Sequence, residues 1–202
     1  MQKLPLEGTR VVELGSSLAG PFAALILSQL GAEVFKVESP DGDAMRRWGA
    51  AEVGGTSAAF ETFNRGKRSL AVDFNDPSAV AGLRHFIAAG THAVLQNLRP
   101  GAVDRFGLGA ERLRADNPAL VYCNLGAFGE HGPLHDLPGY DPLMQAFSGI
   151  IATTGEPDRD PVRVGVSLID MSTGMWGAIG ILALLVRRMA TGSGGVVDGS
   201  LF

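Results

Sequence analysis

Short apolar runs alternate with segments of helical spacing along this chain, and that alternation narrows the fold more than any other feature. Arg10–Leu14 reads as a strand. Residues 21–30 then carry apolar side chains at helical spacing and stop at Gly31. Further strands are predicted over residues 33–37, 68–74, 92–96, 120–125, 162–169 and 196–202. Helices are predicted over residues 76–89, with Asp76 as N-cap and Pro77 at the first position, over Asp141–Phe147, and over residues 172–189. Repeated strand–helix–strand units need crossover connections. The expected class is therefore α/β: a Rossmann-like, mostly parallel sheet with helices on both faces. In such sheets ligands sit beyond the carboxyl ends of the strands.

Composition excludes several classes. At 202 residues the chain suits one α/β domain with a real core. A net charge of −4 gives no electrostatic footprint for nucleic acid or an anionic membrane. The one cysteine, Cys123, forms no internal disulfide and fits a reducing cytosol, so a cytoplasmic location is expected. The start has no apolar stretch of the secretory kind. The greasiest run, residues 174–186, is too short to span a bilayer, which needs about 20 apolar residues, and reads as a core helix.

Four constellations carry potential chemistry. Residues 15–21 (Gly-Ser-Ser-Leu-Ala-Gly-Pro) follow the first strand and precede a helix, where backbone N–H groups can receive an anion; a plain tight turn fits as well. Lys36, Arg46, Arg47, Arg65, Lys67, Arg68, Arg99 and Arg105 fall near strand ends and offer cations to a phosphate-bearing ligand, or decorate surface loops. Asp170 stands where a predicted strand runs into a long helix. Helix capping explains that position; so does a nucleophilic carboxylate, already ionised at neutral pH, with helix N–H groups beside it to steady a thioester oxygen. Gly139-Tyr140-Asp141 opens another helix, with Asp141 as cap or site acid. The histidines and Cys123 lack metal-ligand spacing, and no G-x-S-x-G elbow is present.

Taken in order, several segments resemble the class III CoA-transferase family, of the CaiB/BaiF type. They are residues 5–14 (PLEGTRVVEL), 19–21 (AGP), 31–38 (GAEVFKVE), 64–70 (NRGKRSL), 97–101 (NLRPG), 139–141 (GYD) and 170–174 (DMSTG). The resemblance implies that Asp170 is the catalytic aspartate, that Ser17, Leu18, Leu70, Val72, Asn97, Leu98, Arg99 and Arg105 contact CoA, and that Tyr140 and Asp141 line the acyl pocket. It implies acyl-CoA and a carboxylic acid as substrates, with no permanently bound cofactor and no metal. Family members are interlocked dimers about twice this long. This chain then corresponds to the N-terminal part of the large domain, without the small domain and the returning C-terminal segment, and a second copy or a partner chain is expected to complete it. Ser39 departs from the family, where some members carry an arginine near the adenine. Two alternatives stay open: an isomerase like the α-methylacyl-CoA racemases, which carry His where Tyr140 stands, and a half that only binds CoA or a partner.

Overall fold

The computed structural model describes residues 3–49 and 52–202. In chain order it contains β1 (Arg10–Leu14), α1 (Ala19–Gln29), β2 (Glu33–Glu38), a 3-10 turn (Ala44–Arg47), the hairpin β3 (Glu52–Val53) and β4 (Thr56–Ser57), α2 (Ala58–Asn64), β5 (Arg68–Ala71) and α3 (Pro77–Ala88). There follow β6 (Ala93–Gln96), α4 (Ala102–Arg105), α5 (Ala110–Asp116), β7 (Val121–Gly126), α6 (Asp141–Phe147), a second 3-10 turn (Ile150–Thr153), α7 (Leu168–Thr191) and β8 (Gly195–Ser200). Six strands form one sheet in the order β5-β2-β1-β6-β7-β8, and every pairing in it is parallel.

Neighbouring residues on a strand face opposite sides, and the core follows that period. Val11, Leu95 and Cys123 point to a layer built from α1 and α7; Val12, Val94 and Tyr122 point to one built from α3, α4 and α5. Both faces are covered, which is why the central strands are apolar on both sides. The Asp76 carboxylate accepts from Ser78 N at 2.8 Å, and Pro77 opens α3, so the cap expected there forms.

One expectation fails locally. Residues 162–169 form no strand: they run as a loop into α7, which starts at Leu168. Their alternation of valines looks like a half-buried strand, but Val162 and Val166 are exposed. No edge accepts this segment; instead Val164 N donates to the Gln145 side chain at 2.8 Å. The apolar run at 174–186 lies, as expected, within one long helix. By length and composition, α7 is the one helix among the described residues that could cross a membrane. Here it packs on the sheet and α1. A Cβ at Gly174 would lie 2.7 Å from the Ala19 carbonyl, and one at Gly180 2.6 Å from the Val197 side chain. Glycine costs about 1 kcal/mol in a helix interior, so these positions trade helix propensity for close approach.

Candidate active site

The chain lays strands outward from β1 through β2 to β5, then returns to build β6, β7 and β8 on the other side. The order therefore reverses between β1 and β6, and at such a switch point the loops diverge and leave a crevice. A cavity of about 250 Å³ opens there. Its wall comes from Ser16 and Ser17 after β1, Asn97 to Pro100 after β6, the end of β7, Gly139 and Tyr140 before α6, and Asp170 of α7.

The β1–α1 turn is unusually constrained. Ser17 has φ +60°, a left-handed conformation rare outside glycine. The Asn97 side chain bridges the chain beside it, accepting from Ser16 N and donating to Ser16 O, both at 2.9 Å. A Cβ at Gly15 or Gly20 would fall 2.8 or 2.7 Å from Asn97 Oδ1. The two glycines make room for that side chain.

Asp170 occupies the third position of α7, not the residue before it. It is 8 % exposed and lines the cavity. A carboxylate in a first helical turn is normally favoured by the helix dipole. Burial, with the Asp141 carboxylate adding to it, outweighs that and raises Asp170 from its ordinary value to about 6.

Asp141 does not cap its own helix. It is the first residue of α6, and Tyr140 holds the cap position. Its Oδ2 accepts from Ile169 N at 2.8 Å and Asp170 N at 3.2 Å, capping α7 from another element. Its Oδ1 accepts from Gln145 Nε2. These two amides at the start of α7 are thus already taken, and neither is left to meet a thioester oxygen. Spacing gave no signal for this: Asp141 and the amides it caps are nearly thirty residues apart.

The structure brings Ser17, Asn97, Leu98, Arg99, Tyr140 and Asp170 around the one cavity. It leaves Asp141 buried behind it. Leu18 sits at the cap position just before α1, outside the cavity wall. Leu70 and Val72 pack into the core layer beneath α3. Arg105 lines a separate hollow with Arg84 and Phe74. A third hollow shares Ser16 and Leu98 with the first and Phe74 with the Arg105 hollow, so it lies beside both.

Much of the expected cationic set is spent internally. Lys36 Nζ lies 2.9 Å from Glu13 and 2.8 Å from Asp43. Lys67 Nζ lies 2.7 Å from the other Glu13 oxygen. Arg46 grips Glu38 through two hydrogen bonds of 2.7 Å. That grip, together with Ser69, overcomes burial and holds Glu38 down at about 2. Cys123 is no alternative nucleophile: burial and Asp198 push its thiol up to about 12.

Residues 6–202 match a family model described as CoA-transferase family III. The chain is 40 % identical to a succinate–glutarate CoA-transferase of Agrobacterium fabrum, over 99 % of this chain and 52 % of that protein. It is 40 % identical to a succinyl-CoA–D-citramalate CoA-transferase of Chloroflexus aurantiacus, over 96 % of this chain and 48 % of that protein. A crystal structure of a CaiB/BaiF family protein from Brucella suis superposes with a TM-score of 0.94 at 42 % identity, covering all of this chain and 54 % of that one. The chain spans about half the length of the curated relatives it matches.

Proposed function

The chain belongs to CoA-transferase family III, and from that premise we propose that it carries the nucleophile of an enzyme moving CoA between carboxylic acids, with Asp170 as the attacking group. The observation that carries this reading is the setting of Asp170: a buried carboxylate raised to about 6, on a cavity at the sheet's switch point. Such a group is largely ionised at neutral pH, yet weakly enough solvated to be nucleophilic.

Asp170 attacks the thioester carbonyl of the donor acyl-CoA. The C–S bond breaks, CoA leaves as thiolate, and an acyl–aspartyl anhydride remains. The thiolate then attacks the Asp170 carbonyl carbon and releases the donor acid, giving an aspartyl-CoA thioester. The acceptor carboxylate expels the thiolate from that thioester, and the thiolate takes the acceptor acyl group from the new anhydride, freeing Asp170. Each step exchanges one carboxylate for one thiolate and consumes no oxidant or general base. The row of hollows from Asp170 past Leu98 to Arg105 supports an elongated, phosphate-bearing ligand lying across them. Both curated relatives described above act, by name, on dicarboxylic acids, which supports succinyl-CoA as the first donor to try.

A complementary half is part of this proposal. Trp176, Ile179, Val186 and Met189 on α7, with Leu143 and Phe147 on α6, are exposed apolar side chains. Incubation with succinyl-CoA, followed by peptide mass spectrometry, is expected to show an adduct on the peptide bearing Asp170 and none in Asp170→Asn. No adduct, either on the chain alone or when it is joined to a complementary half, sinks the nucleophile assignment; CoA binding without an adduct leaves a binding half.

A further inference from the structure

Four charged side chains, Glu13, Lys36, Asp43 and Lys67, meet in the interior beside the site, each 3 % exposed or less. Buried ion clusters of this kind are often no more stabilising than apolar packing of the same shape. Their placement indicates a second effect. Lys36 Nζ also donates to the Gly15 carbonyl at 2.8 Å, and Lys67 Nζ to the Pro21 carbonyl at 2.8 Å. Gly15 opens the turn that carries Ser16 and Ser17 into the cavity wall, and Pro21 lies in the first turn of α1, just beyond that turn. Glu13 joins the clamps, one carboxylate oxygen to each ammonium.

We infer that Lys36 and Lys67, coupled through Glu13, are positioning residues that hold the start of the β1–α1 turn and the first helical turn that follows it, and so fix the wall that Ser16 and Ser17 give to the cavity lined by Asp170. The left-handed Ser17 is the kind of backbone conformation that persists only when its surroundings over-determine it. Asn97 holds the middle of the turn, Lys36 its start, and Lys67 the first helical turn after it. Lys67 comes from the α2–β5 connection and Lys36 from β2, so the turn's shape depends on three separate parts of the chain. Burial lowers Lys67 to about 8 even with Glu13 pulling the other way, consistent with an ammonium kept for its geometry at a cost.

The effect on ligand rests on the CoA reading above, whereas the effect on the turn does not. The test pairs Lys67→Met with Glu13→Gln. The single lysine change leaves Glu13 half-paired and lowers stability; the double change restores charge balance while the Pro21 clamp stays absent. In the double variant the thermal midpoint is expected to recover toward wild type. Amide exchange at residues 16–19 is expected to quicken about tenfold while β6 and β7 stay protected, and CoA affinity by calorimetry to fall about tenfold. A merely structural network predicts that exchange and affinity recover along with the midpoint, and that result overturns the inference. A loosened turn with unchanged affinity overturns it too. If wild type fails to bind CoA both alone and joined to a complementary half, the function proposed above fails, and amide exchange alone decides the clamp. Lys67→Gln with Glu13→Gln carries the same expectations should the methionine pair not fold.

Discussion

Two groups of buried charge flank the cavity, and they are built on opposite rules. On the β1–β2 side, Glu13 and Asp43 face Lys36 and Lys67, so the cluster balances. For Lys36, burial alone would lower its pKa, but Glu13 and Asp43 more than offset that and leave it raised. On the α6–α7 side, Asp170 and Asp141 face each other; the hydrogen bonds to Asp141 come from two amides and a carboxamide. Burial and like charge there push in the same direction, and Asp170 rises to about 6. Balanced charge fixes a shape. Unbalanced charge leaves a carboxylate whose ionised form is disfavoured.

The comparison is broken most severely by removing one side of the balanced cluster. Lys36→Met strands Glu13 and Asp43 beside a single ammonium and is expected to cost about 3–5 kcal/mol, read as a lower denaturation midpoint. A loss under about 1 kcal/mol would mean that water relieves those carboxylates and that the cluster is not the rigid element described.

The unbalanced pair predicts the opposite sign. The folded state holds the Asp170 proton more tightly than the unfolded chain, whose value is 3.8. Stability contributed by this residue is therefore present at low pH and lost as pH rises from about 4 through about 6. Asp170→Asn should abolish adduct formation yet stabilise the fold by roughly 1–3 kcal/mol above pH 7, a gain that fades near pH 4. Equal stabilities at both ends of that range would show that the carboxylate is well solvated.

The smallest effect separates burial from like charge. Adduct formation should rise with pH, half-complete at about 6, and level off above. Asn at position 141 keeps an acceptor for the two amides but removes the charge. Its half-rise point should fall by less than about one pH unit, because burial is the larger cause. An unmoved profile would assign the whole shift to burial.

Legibility differed between the same two regions. The helix-capping Asp76 and Pro77, the strand from Arg10 to Leu14 and the helix from Asp141 to Phe147 were readable because their signals are local: a cap, a fixed φ, an apolar period. Lys36 and Lys67 were legible as charges but not as interior ones, since their partners come from other segments. The valines before Asp170 carried a strand's period with no neighbouring strand to pair with, and a period cannot report whether a partner exists.

By itself the sequence determined the α/β class, the parallel order implied by crossovers, and the few carboxylates and cations from which a site could be made. Those follow from period, turn chemistry and residue type, all of which act over a few residues. Only the tertiary structure decided which charges cancel and which are left in opposition. It set Lys36 against Glu13, spent Asp141 on the amides of a distant helix, and left Asp170 on the cavity wall. Charge interactions depend on distance through space and on lost solvent, and neither is written along the chain.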